Sequence, residues 1–96
     1  MDTRDVLTKL RELKPIITAR YKVKEISLFG SFVREEQKAG SDIDLLTEFE
    51  NDADLFDLIG LSLYLEEIFQ RPVDVVPKGA LRGELRESIL HQVVTV

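Results

Sequence analysis

The sequence predicts an α/β (α+β) domain, a small mixed β-sheet with helices mainly on one face. Two observations predict it. Segments with apolar residues at helical spacing alternate along the chain with short β-branched or period-two runs, in the order α, β, α, β, α, β, α. Turn-forming Pro, Gly, Asn and Asp residues separate them. At 96 residues the chain is read as one domain, residues 1–96, with room for a modest core.

Residues 2–13 are the first helix, with Val6, Leu7, Leu10 and Leu13 on one stripe. Thr3 or Asp2 caps it, and Pro15 is expected to end or kink it before a further turn over 16–20. Lys24 to Phe29 is the first strand. A short helix is expected over 31–37 and a polar turn over 38–41. The second strand is expected over 42–49, with Ile43, Leu45 and Thr47 alternating with Asp42, Asp44 and Leu46. Glu50-Asn51-Asp52 is a turn.

Residues 53–70 form the longest helix, with Asp54 and Asp57 at its positive end. Its apolar residues cover more than one stripe, so it is either the central core piece or a helix whose second face meets another protein. Gly60 costs it about 1 kcal/mol relative to Ala, which points to close packing against a neighbour. Arg71-Pro72 breaks it. Val73 to Val76 is a third strand ended by Pro77. Residues 80–92 are a last helix with Leu81, Leu85 and Ile89 inward, and 93–96 is a final edge strand or a frayed tail.

Composition narrows the function. Without cysteine there is neither a disulfide nor a thiolate metal site. No apolar stretch is long enough to span a bilayer and no signal peptide is recognised, so a cytoplasmic protein without membrane attachment is expected. Residues 1–24 hold seven Lys/Arg against three Asp/Glu; the remainder holds six against fifteen. An acidic body argues against extended nucleic-acid binding, which needs a basic stripe, and suits a carboxylate cluster that needs a cation.

The stretch from Gly30 to Asp44 carries the chemistry. Gly30 after a buried strand lets backbone approach a ligand closely, and Ser31 opening a helix offers an anion its N–H groups. Asp42 and Asp44, two apart on a strand, point to one face. Side-by-side carboxylates repel, and a hard divalent cation removes that penalty. Aspartate is poor strand material, and a local rule broken twice marks function. Asp74, alone among valines, is a third such residue. Lys78 and Arg82 could reach a nucleotide from the loop after Asp74 but are read first as surface residues, and His91 as stabilising the last helix. A phosphate seat beside a paired-carboxylate cation seat suggests phosphoryl or nucleotidyl transfer.

Gly30-Ser31, ten residues, then Asp42-x-Asp44 resembles the signature of the polymerase-beta-like nucleotidyltransferase superfamily, and Asp74 matches that family's third acid. The short chain resembles the minimal nucleotidyltransferases (MNT), antitoxin partners of HEPN-type ribonuclease toxins. Arg34 matches the basic position after Gly-Ser; Glu35 departs from the glycine common at the next. The resemblance implies a nucleotidyltransferase fold and two Mg²⁺ held by Asp42, Asp44 and Asp74. It implies that Gly30, Ser31 and Arg34 hold the triphosphate of ATP, with Asp74 as general base. The implied reaction moves AMP from ATP to a hydroxyl, a tyrosine of a cognate HEPN toxin, and the implied assembly is a hetero-oligomer. Two alternatives stay open: a non-catalytic antitoxin that covers its toxin, and an aminoglycoside-type small-molecule nucleotidyltransferase.

Overall fold

Asp2 opens the first helix. In the computed structural model, which describes residues 2–34 and 41–96 (Leu85 by its backbone alone), helix α1 spans Thr3–Tyr21. The Asp2 side chain accepts from the Asp5 N–H at 2.9 Å and the Asp5 carboxylate accepts from the Asp2 N–H at 3.2 Å. This reciprocal cap is worth about 1 kcal/mol. The helix does not end at Pro15 as the sequence predicts; it runs through it. A mid-helix proline costs about 3 kcal/mol, but Val6, Leu10, Leu13, Ile17 and Tyr21 continue one buried stripe across it. Burying Leu13 and Ile17 alone returns roughly 1.5–3 kcal/mol each, so the helix persists.

Lys22 ends α1 in the left-handed conformation (φ 57°), and strand β1, Val23–Phe29, begins one residue earlier than expected. Strand β2 is Ile43–Phe49, helix α2 Leu55–Phe69 and strand β3 Val73–Pro77. Helix α3 is Gly83–Leu90, shorter than the expected 80–92, and strand β4 is Val94–Thr95. Residues 78–80 form a 3-10 turn instead of the first turn of α3. Leu81 is buried as predicted, though from the segment before the helix; the expectation for Leu85 lies outside what is described. The chain's end is an edge strand rather than a frayed tail.

The sheet order is β3-β2-β1-β4. β1 pairs antiparallel with β2 and with β4, while β2 and β3 are parallel, joined by α2 as the crossover. The sheet is therefore mixed, as expected. Ile26, Leu28, Ile43, Leu45, Val73 and Val75 form one core with α1 and with Leu61, Leu65 and Phe69 of α2. The two long helices thus cover one face. Over the other, Leu90 at the end of α3 and Val93 just beyond it line a small pocket with Ser27, Leu46 and Glu48.

Gly60 is explained by packing. A Cβ there would lie 2.9 Å from Cε1 of Tyr21, so α1 and α2 meet where the side chain is missing. The Tyr21 and Tyr64 rings meet tilted at 43° with centroids 5.6 Å apart, and the Arg20 guanidinium lies 5.5 and 5.7 Å from those centroids. The second apolar face of α2 is open: Phe56 is 84% exposed, Leu55 65% and Leu63 60%. No helix among the described residues is long and apolar enough to cross a membrane.

Candidate active site

Strand alternation decides where the acids go. Asp44 is the second residue of β2 and Asp74 the second of β3, and the parallel register pairs them directly. Both side chains therefore leave the sheet on the face opposite Ile43, Leu45, Val73 and Val75. Asp42 lies one residue ahead of β2 rather than inside it, and is exposed. Its position is fixed from both sides: the Ile43 N–H donates to the Pro72 carbonyl at 3.0 Å, and the Arg71 Nη1 donates to the Ser41 carbonyl at 3.4 Å.

Gly30 stands against Asp44. Phe29, the last residue of β1, is the register partner of Asp44, and Gly30 follows with φ +79°, a conformation that side chains resist. A Cβ on Gly30 would sit 2.2 Å from Oδ2 of Asp44. The bare Cα is thus the space the carboxylate occupies. Beyond it the sequence predicts a helix over 31–37; the described part is a 3-10 turn, Gly30–Phe32. The N–H groups of Val33 and Arg34 both donate to the Gly30 carbonyl, at 3.1 and 3.2 Å. Phe29 caps this turn without a side-chain bond, so Ser31 is not the cap expected of it. Three residues sum too few peptide dipoles for the helix-end argument, and a phosphate seat here rests on the close approach Gly30 permits. The expectations for Glu35, Gln37 and the turn at 38–40 lie outside the described residues.

Burial raises the pKa of Asp44 above its ordinary 3.8, and the charges of Asp74 and Asp42 raise it further, against a smaller lowering by Arg34. The three carboxylates and the Arg34 guanidinium therefore share one electrostatic neighbourhood. Among the described residues no three acids stand close enough to make a ready-made metal cage. The donor set nonetheless fits a hard divalent cation: oxygen ligands only, and a carboxylate whose ionisation is opposed by burial and by two like charges until a cation joins it.

Two residues outside the predicted site, Arg71 and Glu66, tie its parts together. Arg71, read as part of a helix break, places its guanidinium 5.3 Å from the ring centroid of Phe32 while bonding Ser41, so it ties the Gly30 turn to the start of β2. Glu66 on α2 accepts the Val73 N–H at 3.1 Å and holds the residue preceding Asp74. Neither has a local sequence signal, because each acts across the fold. From α1, the Thr3 hydroxyl donates to the Phe32 carbonyl.

The family whose description is nucleotidyltransferase domain matches residues 10–95. The chain belongs to that family. This nucleotidyltransferase is 39% identical over 94 residues to the protein adenylyltransferase MntA of Thermococcus cleftensis, covering 91% of this chain and 95% of the relative. It superposes on a solved structure assigned as a minimal nucleotidyltransferase with a TM-score of 0.86 at 31% identity, covering 100% and 97% of the two chains. The fold also matches a chain in a complex of a tri-AMPylated Shewanella oneidensis HEPN toxin with MNT antitoxin. There the TM-score is 0.62 at 23% identity, covering 91% of this nucleotidyltransferase and 69% of that chain.

Proposed function

We propose that this nucleotidyltransferase is a protein adenylyltransferase that moves AMP from ATP to a tyrosine hydroxyl of a HEPN-type toxin in the cytoplasm, and so acts as its antitoxin. The observation that carries the reading is the seating of the Asp44 carboxylate against the bare Cα of Gly30, with Asp74 as its register partner. A glycine turn with no side chain beside two carboxylates on one sheet face supports a site for a phosphate and a cation. The activity named for the Thermococcus relative and the AMP-bearing toxin found with the Shewanella antitoxin support the choice of donor and acceptor.

In this reading Gly30, Ser31 and Arg34 hold the triphosphate, and Asp42, Asp44 and Asp74 hold magnesium, two ions for the three acids. When bound, magnesium neutralises the triphosphate and makes the attacking hydroxyl more acidic. Asp74 is exposed on an edge strand, so an incoming hydroxyl reaches it from solvent, and it takes the proton as general base. The hydroxyl oxygen bonds to the α-phosphorus, the bond to the β-phosphate bridging oxygen breaks, and pyrophosphate leaves with the electron pair. The chain's own contribution is positioning: Arg71 and Glu66 fix the turn and the strand start so that the reacting groups meet in line.

Incubation with Mg²⁺, ATP labelled in the α-phosphate and the HEPN-type partner is expected to label a tyrosine of the partner. No label with partner present, across nucleotides and divalent metals, overturns the proposal.

The open apolar ridge of α2 favours a second reading, in which covering the toxin is what neutralises it. Phe56→Ser combined with Leu63→Ser changes only exposed side chains and is expected to leave folding intact while weakening partner binding by about tenfold or more, read by calorimetry. If an Asp42→Ala/Asp44→Ala protein still protects cells as well as the parent, covering is the function and AMP transfer is secondary.

A further inference from the structure

The open sheet face does not end at the acids. Along β3, Asp74 and Val76 alternate onto it, and past Pro77 the chain turns so that Lys78 closes its far end. Glu48 on β2, two side chains beyond Asp44 on the same face, stands beside it, and Arg86 projects from α3 as the opposing wall. Together with Phe49, Pro77 and Gly79 these residues line a cleft of about 470 Å³, within the range of roughly 300–1,000 Å³ typical of small-molecule sites. Its polar groups are of both kinds: Lys78 and Arg86 only donate hydrogen bonds, and the Glu48 carboxylate only accepts. The larger cleft beside Arg20, Tyr21 and Tyr64 lies between α1 and α2, and the sheet separates it from the aspartates.

Resting on the reading that the site takes ATP, we propose that this cleft is the nucleoside subsite, and that Glu48, Lys78 and Arg86 seat the adenine and ribose. Three constraints lead there. A triphosphate held at Gly30-Ser31 lies at the beginning of β2, where β1 ends. From Asp44 the strand advances about 3.3 Å per residue, so the cleft begins roughly 10–13 Å away, within reach of a nucleoside extending from its α-phosphate. In between, Leu46 on β2 is buried, whereas Val76, the next residue of β3 on the face of Asp74, is only partly buried, so a nucleoside is taken to pass on the β3 side. The chemistry also matches. The adenine edge presents an N6 amine that needs an acceptor and ring nitrogens that need donors; Glu48 supplies the first, Arg86 and Lys78 the second. The sheet's far end thereby provides a grip on the base that the Gly30 turn and the acids cannot.

Binding separates this subsite from the phosphate seat. Calorimetric titrations with Mg²⁺ compare ATP with inorganic tripolyphosphate, which keeps the phosphates and lacks the nucleoside. The wild-type protein is expected to bind ATP about tenfold or more tightly than tripolyphosphate. Arg86→Ala and Glu48→Ala, both conservative of an open cleft, are expected to remove most of that difference and leave tripolyphosphate affinity unchanged. Ser31→Ala is expected to weaken both ligands together. If ATP binds no tighter than tripolyphosphate, or Arg86→Ala and Glu48→Ala leave ATP affinity as it was, the subsite is wrong and the phosphate seat stands. If neither ligand binds the wild-type protein, both readings fall.

Discussion

Asp44→Asn is expected to abolish AMP transfer, by about 10³-fold or more, and at the same time to make the metal-free protein more stable. The loss follows from the role proposed for the site, since a group that holds charge in the transition state contributes more than it does to ground-state binding. The gain follows from what the free protein pays to keep the group. Asp44 is half-buried, with the charges of Asp74 and Asp42 beside it, and all three effects oppose its ionisation. An amide of the same shape removes a repelled charge. A stability increase of roughly 0.5–1.5 kcal/mol is typical when an active-site residue is relieved in this way, which corresponds to a rise of roughly 3–10 °C in Tm for a domain of this size.

The pH dependence has a definite sign. The folded-state pKa of Asp44 lies above its ordinary 3.8, so the folded state holds this proton more tightly than the unfolded chain. The stability it contributes is fully present below 3.8 and is lost as pH rises through the raised value. The advantage of Asp44→Asn over the wild type is therefore largest at neutral pH and vanishes towards pH 3.8. Scanning calorimetry without metal checks this, and a variant less stable than the wild type at pH 7 would show that the three acids are not in conflict. Millimolar Mg²⁺ is expected to raise the wild-type Tm and to leave the variant's nearly unchanged, because only the wild type gains a bound ion.

Much of this site is legible in sequence because it is built from short-range rules. Alternation in a strand places Asp44 opposite Leu45 whatever the rest of the chain does, and the lone acid in Val73-Asp74-Val75 declares its own face. What spacing leaves open is the register that brings the two strands together. Asp74 faces Asp44 because β2 and β3 are parallel and paired at that residue, a consequence of the α2 crossover. Of the helix expected over 31–37 only the start is described, and there the reverse holds: local capping chemistry favours an α-helical start, but the 3-10 turn Gly30–Phe32 is tied to the Thr3 hydroxyl and to Arg71, contacts 29 and 39 residues away in sequence. Pro15 fails as a helix stop for a related reason. Local propensity argues for a break, and a buried stripe shared with the sheet outweighs it. Arg71 and Glu66 act only through the tertiary structure, and no reading of neighbours in sequence distinguishes them from other charged residues.

Among the described residues, Gly30→Ala is expected to be the most damaging single change of a small residue. Two costs fall on the same atom. At φ +79° an alanine strains the backbone by roughly 1–2 kcal/mol, and its Cβ would occupy the place of Asp44 Oδ2, 2.2 Å away, so the carboxylate or the turn must move at a further cost of roughly 1–3 kcal/mol. The sum, about 2–5 kcal/mol, predicts a Tm lower by roughly 10–40 °C together with loss of ATP binding. Other glycines separate the two causes. Gly83 also has a positive φ, +62°, but a Cβ there meets nothing within 4 Å, and Gly79 meets nothing either, with no such backbone constraint. Gly83→Ala should show the backbone cost alone, and Gly79→Ala little change. Adding Asp44→Ala to Gly30→Ala removes the atom that is struck, so the double variant should recover most of the difference between Gly30→Ala and Gly83→Ala. A Gly30→Ala protein no less stable than Gly83→Ala would mean that the carboxylate has somewhere else to go, and that the turn and Asp44 are not built against each other.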